Sequence, residues 1–142
     1  MAQRDYILRL IEQAAGALRR ALDLILGRKG SPGEVAEQLR AALGITGLDL
    51  GMVRVLDAEA LLLLIAPTGE AEPGRCWLVA ETLYLDGLEA QLDDRPDEAR
   101  ASLAKARLLF RLLEPDAVLP SGFPEASARL REIEDRIRVL EG

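Results

Sequence analysis

The chain has 142 residues, a length that favours one domain able to bury about 68–70% of its unfolded surface without a metal or disulfide staple. Leu (28) and Ala (21) make up about a third of it, against 16 Ile, Val and Thr together and five aromatic residues, a bias toward helix that excludes most all-β folds. A net charge of −6 argues against nucleic acid as a partner, and the absence of histidine excludes Ser-His-Asp and Cys-His catalysis and most zinc chemistry within one chain.

The first predicted helix runs from about Asp5 to Leu26. Ile7, Leu10, Ile11, Ala14, Leu18, Ala21, Leu22 and Ile25 recur at three- and four-residue steps along one face. Gly16 costs this helix about 1 kcal/mol relative to Ala and is a candidate for close approach of a neighbour. Ser31-Pro32-Gly33-Glu34 has the capping-box pattern and opens a second helix that reaches Leu43 and stops at Gly44. These two elements form a hairpin over 5–43. Residues 44–72 read as an insert, with a short helix at about Leu48–Val55. Asp57 is the predicted N-cap of Ala58–Ile65, a helix apolar on nearly every side and therefore expected to be buried.

A third long helix spans about Pro73–Leu92, with Trp77, Ala80, Tyr84, Gly87, Leu88 and Leu92 on its core face. Asp93-Asp94-Arg95 is a tight connection, and Pro96 opens a fourth long helix to Leu113 with Ala99, Leu103, Ala106, Phe110 and Leu113 in its stripe. Together they form a second hairpin over 73–113. Three prolines within Glu114–Pro124 demand a loop. The last helix, 124–141, places Ala126, Leu130, Ile133, Ile137 and Leu140 on one side. Its other side interleaves Arg129, Arg131, Arg136 and Arg138 with Glu132, Glu134 and Asp135, which reads as a solvated, ion-paired face on a capping helix.

The two hairpins match one another. Ser31–Ala42 aligns with Arg95–Ala106 at an offset of 64. Ile11, Ala14, Leu18, Leu22 and Leu26 align with Trp77, Ala80, Tyr84, Leu88 and Leu92 at an offset of 66, the longer loop at 27–31 absorbing the difference. Small residues at Gly87, Ala99 and Ala106 let two helices approach, and Leu103 fills the gap between them. At this spacing Arg75–Pro115 resembles one tetratricopeptide unit, although Trp77 and Tyr84 fall earlier than that family's aromatic positions and Pro115 later than its proline. Taken whole, the chain is similar to an uncharacterised bacterial family of small helical, tetratricopeptide-like proteins that open with a stretch like Asp5-Tyr6-Ile7-Leu8-Arg9-Leu10-Ile11-Glu12. The resemblance implies an all-α superhelical stack of hairpins and no activity, so it carries no functional residues over.

Candidate chemistry is sparse. Asp93, Asp94, Asp97 and Glu98 form the densest carboxylate cluster, but acids at a helix N-terminus cap free amides and complement the dipole, and no EF-hand spacing is present. Cys76 has only Arg75 as an adjacent cation, so it reads as a buried, unreactive thiol, and a lone cysteine gives no sign of an oxidising compartment. Arg19-Arg20 and Arg28-Lys29 are an anion-patch candidate better explained by helix ends. No catalytic, cofactor-binding or metal site is assigned. With no signal-peptide pattern and a longest apolar run, Ala60–Ala66, far below the ~20 residues a bilayer requires, the expectation is a cytoplasmic protein without a membrane partner.

The remaining oddity is surplus hydrophobicity: Leu8, Leu24 and Leu26 lie off the first stripe, and Leu108–Leu113 is apolar almost all round. Such residues are covered by other helices or mark an interface. The expected function is a non-enzymatic module that binds a protein or peptide, or itself as a homodimer. Trp77, Tyr84, Leu108, Leu109, Phe110 and Leu112 are the candidate interaction surface, the two aromatics serving as anchors if they are not core. The alternative is a small-ligand protein or enzyme using Asp, Glu and Arg in a helical pocket, which requires charges turned inward, whereas the pattern places them on outer faces.

Overall fold

The computed structural model describes residues 2–28, 31–114, 119–120 and 122–142, so Lys29, Gly30, Pro115 and part of the proline-rich connection lie outside it. Among the described residues the chain is all-helical, with no strand. The helices are α1 (Ala2–Gly27), α2 (Pro32–Gly44), α3 (Leu50–Val55), α4 (Ala58–Ile65), α5 (Pro73–Leu92), α6 (Pro96–Leu113) and α7 (Ala126–Glu141). None is long and apolar enough to cross a membrane.

Side-chain caps set most of the helix starts. Ser31 Oγ accepts the Glu34 amide at 3.3 Å, and Asp57 Oδ1 accepts the Ala60 amide at 2.8 Å. Asp49 Oδ2 accepts the Met52 amide at 3.3 Å, which starts α3 two residues later than its apolar pattern suggests. Glu72 is a cap the sequence reading did not mark: its carboxylate accepts the amides of Gly74 at 3.0 Å and Arg75 at 2.7 Å. Each such cap satisfies amides that the first helical turn leaves without intrahelical partners. At the α5–α6 corner Asp94 takes φ +57°, a left-handed conformation that a short polar side chain tolerates.

The α1–α2 and α5–α6 pairs form the two hairpins, and α5 packs on α1, α2 and α6. Contact on several sides explains why every residue of α5 from Cys76 to Leu88 is buried. α7 lies on α6, α3 touches α2, and α4 touches α6. Leu18, Leu39, Trp77, Leu83, Leu103 and Phe110 belong to one continuous core cluster.

The α5–α6 crossing is tight at the expected place. A Cβ on Gly87 would lie 2.7 Å from Leu103 Cγ and 3.3 Å from the Ala99 carbonyl oxygen. The residue 66 positions earlier is Ala21, and Val35, Leu39 and Ala42 stand where Ala99, Leu103 and Ala106 stand in the second hairpin. All of these are buried, so the two hairpins share a burial pattern as well as a sequence pattern. Gly16 has no comparable role, because a Cβ there would meet only Arg20 Nη1 at 3.6 Å, within its own helix.

α4 departs from expectation. Leu61 and Ile65 face inward, but Leu63 is 67% and Leu64 40% exposed. Eight residues make about two turns, and α6, on which the helix packs, covers only one side of them.

Candidate functional site

Four of the six residues read as an interaction surface lie in the core. Trp77, Tyr84, Leu109 and Phe110 are each at most 1% exposed. Trp77 meets the Phe123 ring edge-on at 5.0 Å, and Tyr84 lies beneath the Arg129 guanidinium, 4.0 Å from its ring centroid. Leu108 is half-buried, and only Leu112 is exposed. Tyr84 is thus covered by α7, and Trp77 by Phe123 of the connection that precedes it. Of the other surplus residues, Leu24 packs against the core, while Leu8 and Leu26 remain exposed. Among the described residues the exposed large apolar side chains of the insert are Ile45, Val55, Leu63 and Leu64. Leu112 lines a cleft with Gly69, Ala71 and Pro73 in the segment that follows α4.

Charges also turn inward, contrary to the outer-face pattern. Glu81 and Arg129 form a buried bidentate pair, with Arg129 Nε and Nη2 donating to the two carboxylate oxygens at 2.9 and 2.8 Å. Arg129 Nη1 donates to Glu132 at 2.7 Å, and the Tyr84 hydroxyl also donates to Glu132. Burial holds the Glu81 carboxyl above its ordinary range against the pull of Arg129. Burial, with the hydrogen bond to Glu132, likewise raises the Tyr84 hydroxyl.

A second cluster lies between the insert and the second hairpin. Arg54 donates to Asp86 at 2.6 Å, and Ser102 Oγ donates to the same carboxylate at 2.9 Å. Lys105 Nζ donates to the carbonyls of Val53 at 2.8 Å and Arg54 at 2.7 Å, closing the C-terminal end of α3 as a cation favours. Burial lowers the Lys105 amine, with Asp86 and Asp57 opposing.

These groups are in register with the apolar stripes, and that register is the signal in the sequence that could have found them. Glu81 follows Trp77 by four residues, Arg129 precedes Ile133 by four, and Lys105 precedes Leu109 by four. Reading the charged residues as one solvated set obscures this register. Chemically, both clusters are consumed internally: each buried carboxylate has a cation on it.

The remaining candidates are placed as follows. Arg95 pairs with Asp93 and Glu98, and Arg100 pairs with Asp97, so the acidic run is an ion-paired helix start. Among the described residues no three His, Cys, Asp or Glu side chains converge as a metal-binding group. Arg19 stacks over Phe123 at 5.1 Å, Arg20 bonds Gln38 at 3.1 Å, and Arg28 bonds the Leu92 carbonyl at 3.1 Å. These guanidiniums thus tie α1 and the turn after it to α2, to the connection before α7 and to the end of α5, while Lys29 lies outside the described residues.

Cys76 is fully buried, with Sγ 3.5 Å from the Leu109 carbonyl, and burial, reinforced by Glu72, pushes its pKa up to about 12. The native thiol is expected to resist an aromatic disulfide reagent at mildly alkaline pH for as long as urea-unfolded protein reacts completely, followed by absorbance of the released thiolate. A thiol pKa raised on folding favours the protonated native state. Its contribution to stability is therefore full below the unfolded value of 9.0 and is lost as pH rises toward about 12. Urea midpoints are expected to fall over that window, and less steeply in Cys76→Ala. No family model, curated protein or solved structure matches the chain.

Proposed function

We propose that this protein is a non-enzymatic interaction module, a tetratricopeptide-like stack that binds a protein or peptide through helix faces, with a second copy of the chain as the first partner to test. The observation that carries the reading is α4, which sits on α6 with Leu61 and Ile65 inward while Leu63 and Leu64 face water. Leaving large aliphatic side chains exposed on a short surface helix has no folding benefit, and such residues are characteristic of interfaces. The stack itself is supported by α5 packing on both helices of the first hairpin and by α7 packing on α6 while Arg129 reaches α5. Helical hairpins stacked this way build extended binding surfaces. The resemblance to a bacterial tetratricopeptide-like family and a cytoplasmic setting, where a lone buried thiol stays reduced, fit the same reading. The alternative with a catalytic pocket draws less support, since the inward carboxylates are held by Arg129 and Arg54.

Because Leu109 and Phe110 are core, the discriminating substitutions are at Leu63 and Leu112. Sedimentation velocity over a range from low to high micromolar is expected to show reversible self-association. The Leu63→Asp/Leu112→Asp variant is expected to remain monomeric with an unchanged circular dichroism spectrum. A wild-type chain that is monomeric throughout, and that retains no member of an immobilised peptide array, would contradict the reading.

A further inference from the structure

A cleft of about 220 Å³ opens between the N-terminal half of α1, the turn after α2 and the first turns of α5. Its apolar walls include Leu10, Ile11, Ile45 and Leu78, and Glu72 and Arg75 lie on its polar side. The walls are fixed by close packing: a Cβ on Gly74 would stand 2.6 Å from Ile11 Cδ1, so α5 is pressed directly onto α1 here.

Arg75 is the unusual member. It is half-buried, and among the described residues it forms no ion pair and no hydrogen bond, its Nε being buried without an acceptor. The buried Arg129 and the more exposed Arg54, by contrast, are each held by a carboxylate. Nor does the helix provide for Arg75. It is the third residue of α5, in the turn where the macrodipole disfavours a cation. The adjacent carboxylate of Glu72 is occupied by two backbone amides. A partly desolvated charge with neither a partner nor a favourable dipole is costly, and an arriving anion would relieve it.

We propose that this cleft binds a small aliphatic monocarboxylate, its chain against Leu10, Ile11 and Ile45 and its carboxylate on the Arg75 guanidinium, where a bidentate charge-assisted contact is available. The volume suits one small molecule, ligand sites of larger molecules running to about 300–1,000 Å³. The site stands apart from the α4 surface and does not depend on it.

The test is a titration of isotope-labelled protein with hexanoate, followed by amide shifts. Acetate supplies the charge without the chain, and 1-hexanol the chain without the charge. Saturable shifts at Leu10, Ile45 and Arg75 are expected for hexanoate, with much weaker responses to the two controls. Arg75→Gln is expected to weaken hexanoate binding about tenfold or more, the loss of a hydrogen bond to a charged group. Ile45→Asp, a substitution at the exposed rim, is expected to abolish binding with helicity unchanged. The proposal is overturned by an absence of saturable hexanoate binding, by equal binding of 1-hexanol, or by an Arg75→Gln variant that binds as the wild type does. Tighter binding of N-acetyl-alanyl-leucine than of hexanoate also overturns it, since the site would then take a peptide C-terminus.

Discussion

Arg129→Met is expected to destabilise the protein by about 3–5 kcal/mol, the range found when one member of a buried ion pair is removed. The substitution keeps an apolar stem of similar length but leaves Glu81, 1% exposed, without its bidentate partner. It also removes the cation above the Tyr84 ring. Urea denaturation reads the loss directly. The companion variant Glu81→Leu/Arg129→Met separates charge from packing: replacing a whole buried pair with hydrophobic residues is often neutral or stabilising by about 1–4 kcal/mol. A double variant as unstable as the single one would locate the loss in the other contacts of Arg129, with Glu132 and the Tyr84 ring. The pH response has a definite sign. Burial favours the protonated Glu81 carboxyl, so folding takes up a proton once Arg129 is gone. The deficit of Arg129→Met is therefore expected to narrow as pH falls.

Gly87→Ala carries the second large effect. The new methyl carbon would stand 2.7 Å from Leu103 Cγ and 2.9 Å from Cδ2, with the Ala99 carbonyl oxygen 3.3 Å away. Leu103 is wholly buried and the carbonyl belongs to α6, so relief requires the two helices to move apart. Overpacking of a filled core costs about 1–3 kcal/mol, while exchanging glycine for alanine in a helix returns about 1 kcal/mol. The expected result is a net loss of about 1 kcal/mol and at most about 2, against the simple propensity expectation of a gain. A cycle with Leu103→Ala tests the contact. That change alone is expected to cost about 2–5 kcal/mol, and the double variant less than the sum, because the new methyl occupies part of the space vacated.

What could be read from the sequence follows from where the physics is local. The ends of α4, α5 and α6 are set by Asp57, by Pro73 and Pro96 in first turns, and by the 93–95 corner, all within a few residues of the ends they define. The crossing at Gly87 was legible because three small residues and one leucine at fixed spacing describe a contact between two helices joined by a short turn. The coverage of Trp77 and Tyr84 was not, since it depends on where Phe123 and α7 land after a connection that periodicity does not orient. The outward turn of Leu63 and Leu64 has the same origin. Arg129 and Glu81 were hidden for a different reason: they lie 48 residues apart, and each looks like ordinary surface charge until its partner is known. Arg75 was noted only as a neighbour of Cys76, because the lack of a partner is a property of the folded surroundings.

The polar ties of the insert have a kinetic consequence. Although 44–65 continues directly from α2, its anchors run forward along the chain, from Lys105 to the carbonyls of Val53 and Arg54 and from Arg54 to Asp86. Releasing α3 from α5 and α6 strands the Lys105 ammonium group and breaks the Arg54–Asp86 ion pair, whereas parting α1 from α2 breaks neither. Native-state hydrogen exchange is therefore expected to resolve two cooperative units with a seam near 44–49 rather than one. The amides of α3 and α4 would exchange with those of α5 and α6, while the first hairpin opens earlier and at lower free energy. The chain would then come apart along a line that cuts across its order of connection, with its middle belonging to its end.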